Sequence, residues 1–198
     1  MTTRTTRAIA SLLCGLLATA LACKRDTPAA SEERPDLGPK ASAVNELVPA
    51  DLKDKLSFEV QEVSEGNVLA LVPKGWQPSF IPGRLEPGDG KLGERLAYEI
   101  GSNCDGVCAK KDWASVANQV EFSNTVPPGL TVEVDEALGE TGRLEVFAGS
   151  DEVYVRAAWW LAESKRYFYC RADLRGAVIG AKQAFIDACK ATHVLDWD

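Results

Sequence analysis

The sequence predicts an α+β domain, an antiparallel sheet built as a meander with helices packed on it. Three observations carry that prediction. Short runs of alternating apolar and polar residues, cut by glycine-rich or proline-rich turns, recur between residues 57 and 174, as half-buried strands do. The period lengthens to a helical one only after Asp112 and after Gly176. Strands in a run, with one helix inserted and one at the end, describe helices on an antiparallel sheet.

The elements follow in order. Ser57-Phe-Glu-Val-Gln-Glu-Val63 alternates strictly, and Asn67 to Pro73 is a second, more apolar strand after the turn at Glu65-Gly66. Residues 75–93 hold three prolines and five glycines, which reads as loop. Arg95 to Ile100 returns to alternation through Leu96, Tyr98 and Ile100. After Asp112, a suitable N-cap, Trp113, Val116, Ala117 and Val120 form one helical stripe. Pro127-Pro128-Gly129 breaks the chain. Three strands then run through Leu130–Asp135, Arg143–Ala148 and Glu152–Leu161, and Arg166–Leu174 makes a fourth. From Gly176 to Ala191 the stripe Val178, Ala181, Phe185, Ala188 predicts the closing helix. No internal repeat is visible.

Upstream of the strands the sequence changes character. Arg4 and Arg7 precede an uncharged run from Ala8 to Ala22, shorter than the roughly 20 residues that span a bilayer. A basic start, a short apolar stretch and small residues at its end make an export signal over residues 1–22. No second run of spanning length follows, so an integral membrane protein is not expected. Leu17-Ala-Thr-Ala-Leu-Ala-Cys23 resembles the lipobox of bacterial lipoproteins. That resemblance implies cleavage before Cys23 and a diacylglycerol on its sulfur. Ala20-Leu-Ala22 would also serve an ordinary signal peptidase, and both cut the same bond. Parity favours lipidation. Of six cysteines, cleavage removes Cys14; a lipidated Cys23 leaves four thiols that can pair completely. Two or more acyl chains anchor stably where one does not.

Residues 23–50 then read as the lipidated cysteine and a flexible linker, rich in Pro, Ala, Ser and charge, with too few large apolar side chains to offset ordering. Its reach is on the order of 30 Å by random-coil scaling. Residues 51–198 are the globular domain. Without Arg4 and Arg7 the chain carries 20 Lys and Arg against 29 Asp and Glu, a net charge of −9. So acidic a body argues against nucleic acid and against adhesion to anionic lipid. The expected location is the periplasmic or cell-surface side of a bacterial envelope, with the membrane contacted through the anchor.

The opening strands with Val72-Pro-Lys-Gly-Trp76, the meander and the closing helix resemble the Mog1/PsbP-type α/β/α sandwich over roughly residues 57 to 198. The resemblance implies the fold. It implies no task, because that fold hosts unrelated ones.

Export favours disulfides, and four thiols allow three connectivities. On the last strand Cys170 shares the apolar side with Phe168, Ala172 and Leu174; on the final helix Cys189 lies four residues after Phe185. A helix laid on that face joins Cys170 to Cys189, worth about 3 kcal/mol, and Cys104 with Cys108 closes a local loop worth about 2 kcal/mol. The C-x₃-C pair with the lone His193 also resembles copper-delivery sites of thioredoxin-like Sco proteins. Ala109 stands where that family has proline, however, and the only methionine is Met1. A redox-active pair is the other reading, since Cys108 precedes a predicted helix beside Lys110 and Lys111. A structural staple accounts for the pattern best, with no metal or cofactor.

No G-x-S-x-G, Walker loop or H-E-x-x-H occurs, so the reading is non-enzymatic. A binding face is the better candidate. If residues 162–165 close a hairpin, Leu161 pairs with Arg166. One face then collects Val153, Val155, Ala157, Trp159, Phe168, Cys170, Ala172 and Leu174 as core. The other collects Tyr154, Arg156, Trp160, Tyr167, Tyr169, Arg171 and Asp173. There Arg156 opposes Arg171, a destabilising pair unless an anion or Asp173 neutralises it. Trp160 opposite Tyr167 would add a flat aromatic surface for a small molecule or an envelope protein. The alternative reading of function is a thiol-redox or metal-handling protein using Cys104 and Cys108.

Overall fold

The structure is a computed structural model that describes residues 34–63, 67–80, 83–87, 96–103, 126–161 and 166–195. Cys23, the Cys104/Cys108 pair and the helix expected after Asp112 lie outside them. The elements are α1 (Gly38–Glu46), β1 (Phe58–Val63), β2 (Val68–Pro73), β3 (Trp76–Pro78), β4 (Arg84–Pro87), β5 (Leu96–Asn103) and β6 (Thr131–Ala137). Then come β7 (Gly142–Ala148), β8 (Glu152–Leu161), β9 (Arg166–Arg175), a 3₁₀ turn (Gly176–Ala181), α2 (Lys182–Lys190) and β10 (His193–Val194). The α+β class and the antiparallel meander are as the patterns predict.

The strands form two sheets where one was expected. β1-β2-β10 make a small sheet, and the large one runs β3-β4-β5-β9-β8-β7-β6. Every residue of β2 is buried, which explains its unbroken apolar run: a strand covered on both faces has no polar side to alternate with. β10 pairs with β2 only at Leu69 and Val68. Such a two-residue strand leaves no periodicity to read, and it carries the lone histidine.

Two further expectations need correction. The linker expected to residue 50 gives way to ordered structure well before that point. Leu37, Ala41, Val44 and Val48 are all core residues, and α1 packs on β1 and α2. Four apolar residues on one stripe suffice to dock a helix, and a composition averaged over the segment hides them. Pro39 suits the helix start. At the other end, Asn45 acts as a strand would: its Nδ2 donates to the Phe58 carbonyl at 2.9 Å and its Oδ1 accepts from the Phe58 N–H at 2.6 Å. Likewise β3 and β4 lie within the predicted loop. Their prolines sit at strand ends, Pro78 on an edge strand and Pro87 opposite Trp76, where no ladder bond is lost.

The core lies between the sheets and α2. Phe185 of α2 meets Phe58 of β1 at 5.1 Å and Tyr98 of β5 at 5.5 Å between ring centroids, both edge-on. The Tyr98 hydroxyl donates to the Leu71 carbonyl of β2 at 2.9 Å, tying one sheet to the other beyond the end of β10. Burial of that phenol drives its pKa far upward, so it stays a donor. Cys170 and Cys189 are disulfide-bonded and fully buried, with Cys170 Sγ 3.4 Å from Tyr98 Oη. The closing helix departs from expectation in its first six residues, which are 3₁₀. Gly176, Gly180 and two β-branched residues in six are poor α-helix formers.

Candidate functional site: the outer face of the large sheet

β8 and β9 pair in the expected register, Leu161 with Arg166 and onward to Glu152 with Arg175. Val153, Val155, Ala157, Phe168, Cys170, Ala172 and Leu174 are buried on the α2 side; Trp159 is half-buried. The opposite face brings Arg156 beside Arg171 and Trp160 beside Tyr167, as the hairpin count requires.

Neighbouring strands extend that face into a charged row. Reading across in register gives Asp135 on β6, Glu145 on β7, Arg156, Arg171, Glu99 on β5 and Arg84 on β4. The like-charged pair at the centre is thus flanked by carboxylates on both sides. Arg171 lies 3.8 Å from Glu99 Oε2 and 3.5 Å from Asp173 Oδ1. Arg156 lies over the rings of Phe147 and Tyr154 at 5.5 and 5.6 Å, a favourable cation–π arrangement, and its field favours the ionised forms of Glu145 and Asp173. Toward the edge, Arg143 forks onto Asp135 at 2.8 and 2.9 Å and reaches Glu145 Oε1 at 2.8 Å.

Burial and pairing pull the carboxylates apart. Glu145 is the buried charged residue among those described, 6% exposed, and desolvation raises its pKa despite Arg143 and Arg156. Asp173 is raised for the same reason, against Arg171 and Arg156. Asp135, at the exposed edge, is lowered by its hydrogen bonds to Arg143. Carboxylates of the sheet itself thus stand beside the two arginines, Glu145 next to Arg156 and Glu99 and Asp173 next to Arg171.

The aromatic part of the face differs from expectation. Trp160 and Tyr167 are each 3% exposed, so they offer no open surface to a ligand. Tyr169 is half-buried and faces Ala158 on one side and Gly101 on the other. Its hydroxyl fills the space over Gly83 and Gly101: a Cβ on Gly83 would stand 2.9 Å from it and one on Gly101 3.1 Å. Gly83 also has φ 81°, a conformation that favours glycine. Tyr169 therefore packs where two backbones approach closely.

Sequence reasoning missed Glu145, Glu99, Phe147 and Arg143. The first was missed by one residue: counting across the turn Gly149–Asp151 sets Glu145 opposite Val155, whereas the observed turn includes Glu152, pairs Ala148 with Val153 and so sets Glu145 opposite Arg156. Glu99 was out of reach, since β5 joins β9 from about seventy residues away in a pairing no turn announces. His193 belongs to the small sheet and takes no part in this face. Among the described residues no group of three or more His, Cys, Asp and Glu side chains is placed to hold a metal ion.

The fold defined by these sheets and helices is that of a Mog1/PsbP-like α+β domain. The comparison that carries this is with the Ran-binding protein Mog1p of Saccharomyces cerevisiae: TM-score 0.50, 12% identity, over 72% of this chain and 97% of that one. A Mog1 mutant aligns over 71% of this chain and 97% of its own, at 13% identity and TM-score 0.47. No family model and no curated relative matches the chain.

Proposed function

We propose that this chain is an exported lipoprotein, held by acyl chains on Cys23 to the periplasmic or cell-surface side of a bacterial envelope. There it serves as a non-enzymatic binding or accessory module. The observation that supports this most is the Cys170–Cys189 bond taken with cysteine parity. Disulfides persist in oxidising compartments, and lipidation of Cys23 is the state that leaves an even number of thiols. The carboxylates beside the central arginines favour a structural role for that pair over an anion site. The yeast neighbour is named for binding the protein Ran, so a protein partner is the first class to seek; fold likeness assigns none.

Intact mass of the protein purified from membranes, before and after reduction, tests the reading. Expected is a chain beginning at Cys23 with acyl chains attached, whose remaining cysteines alkylate only after reduction. A bare Cys23 removes the anchor. Cys104 and Cys108 alkylating freely, or metal co-purifying with them, would move the reading to the thiol or metal alternative.

A further inference from the structure

The outer face of the large sheet is covered, yet the described helices all belong to the other side. Phe147, Ala158, Trp160 and Tyr167 share the outer face with Arg156 and are at most 3% exposed. On the opposite face α2 packs on β8 and β9, and it also meets β2; α1 packs on α2 and β1. Large rings on a sheet face leave water only under a second layer. The strand register shows where that layer comes from. Leu96, Leu174, Val153, Ala148 and Thr131 form one row across the sheet, so β5 and β6 begin at the same end. Four antiparallel pairings lie between them, which makes β5 and β6 parallel. The chain leaves β5 at Asn103, beside Tyr167, and must cross β9, β8 and β7 back to the first row to begin β6 at Thr131. Parallel strands of one sheet are joined by a crossover that passes over one of its faces.

We infer that the occupant of the outer face is the chain's own segment 104–125, which lies outside the described residues, with Trp113, Val116, Ala117 and Val120 turned onto the rings of the sheet. The α2 face is closed to this crossover. There Phe185 meets Tyr98, the Tyr98 hydroxyl reaches Leu71 of the small sheet, and Cys189 is bonded to Cys170. The distance fits the segment. Four strand spacings across the sheet are about 19 Å and the eight residues of β5 about 27 Å, a diagonal of about 33 Å. The 22 residues of the segment cover about 33 Å when helical and more wherever they are extended. An apolar stripe at helical spacing is what such a layer needs toward the sheet. The consequence concerns function: the row through Glu145, Arg156 and Arg171 is interior, and a protein partner must be met on another surface. None of this depends on the lipid anchor.

The test uses the full protein purified from membranes, with the photo-crosslinker p-benzoyl-phenylalanine in place of Trp113 or of Val120. Expected on irradiation is an adduct within one chain, mapped by mass spectrometry to β7, β8 or β9. Adducts on α1, α2 or the small sheet would overturn the inference, as would adducts joining two chains, which a second copy on this face would give, or no adduct from either position. Hydroxyl-radical labelling gives an independent reading. In the parent, Trp160 and Tyr167 should label several-fold more slowly than in the denatured chain. In the double variant Val116→Asp and Val120→Asp they should label several-fold faster than in the parent, while Phe168 on the α2 side stays protected and shows that the domain is still folded. Slow labelling of Trp160 and Tyr167 in that folded variant would overturn the inference. Should the variant not fold, the crosslink decides alone.

Discussion

β8 and β9 present one backbone to two different surroundings. Toward α2 they show Val153, Val155, Ala157, Phe168, Cys170, Ala172 and Leu174, all at most 2% exposed. On the other face they show arginines, tyrosines and an aspartate, and the register sets Glu145 beside Arg156 and Glu99 beside Arg171. Apolar burial needs only that a residue point inward, so the first face tolerates changes that keep volume. The second is specified pair by pair, because each half-buried charge must find its opposite. Breaking the two faces should therefore give responses of different size and kind.

The largest effect belongs to the α2 side. Phe185→Ala removes a ring that touches both Phe58 and Tyr98 and so loosens helix and both sheets together. A loss of about 4 kcal/mol is expected from denaturant unfolding, the range for truncating a buried Phe. Next comes the double variant Cys170→Ala and Cys189→Ala. The bridge closes a separation of 19 residues, and removing it should cost about 3 kcal/mol by the loop-entropy estimate. Because both sulfurs are fully buried, reductant should act on the native protein only as fast as it unfolds. Rapid reduction without unfolding would show that α2 opens locally.

That difference between faces also explains what could be read in the sequence. The α2 side was legible because its code is local. Alternation fixed the strands, a helical stripe fixed Val178, Ala181, Phe185 and Ala188, and the meeting of those two patterns placed Cys170 against Cys189. On the outer face only the hairpin partners, Arg156 with Arg171 and Trp160 with Tyr167, follow from counting. Whether they are open or covered, and that Glu99 flanks the arginines, depends on strands joined without turns between them. α1 was hidden for another reason. Leu37, Ala41, Val44 and Val48 are diluted among Pro, Ser and charged residues, so composition spoke for a linker while four side chains decided otherwise.

A smaller effect is expected from the outer face. Arg171→Met keeps the aliphatic stem but strands Glu99 and Asp173, whose side chains are 19% and 21% exposed. Leaving such carboxylates without their cation should cost about 2 kcal/mol. Asp173→Asn added to Arg171→Met should restore part of the loss, the signature of a charge network rather than of packing. Were the arginines held for an external anion instead, Arg171→Met would leave the melting temperature unchanged or raise it.

The smallest effect lies at Glu145, and there the sign matters more than the size. Burial raises its pKa above the usual carboxylate range, so the folded protein holds this proton more tightly than the unfolded chain does. Its contribution is most favourable at low pH and is lost as pH rises through the raised value. Glu145→Gln removes that titration. The variant and the parent should match below about pH 4, where an unfolded glutamate also begins to protonate, and the variant should gain relative stability toward neutrality by under about 1 kcal/mol. Asp135→Asn should move the opposite way. Arg143 lowers that pKa, so the carboxylate stabilises above the ordinary range, and the variant should fall behind the parent as pH rises and rejoin it in acid. Unfolding curves of both variants from acid to neutral pH separate desolvation from pairing within one row of the sheet. Parallel curves for the two would mean that Arg143 dominates both carboxylates and that burial of Glu145 carries no penalty.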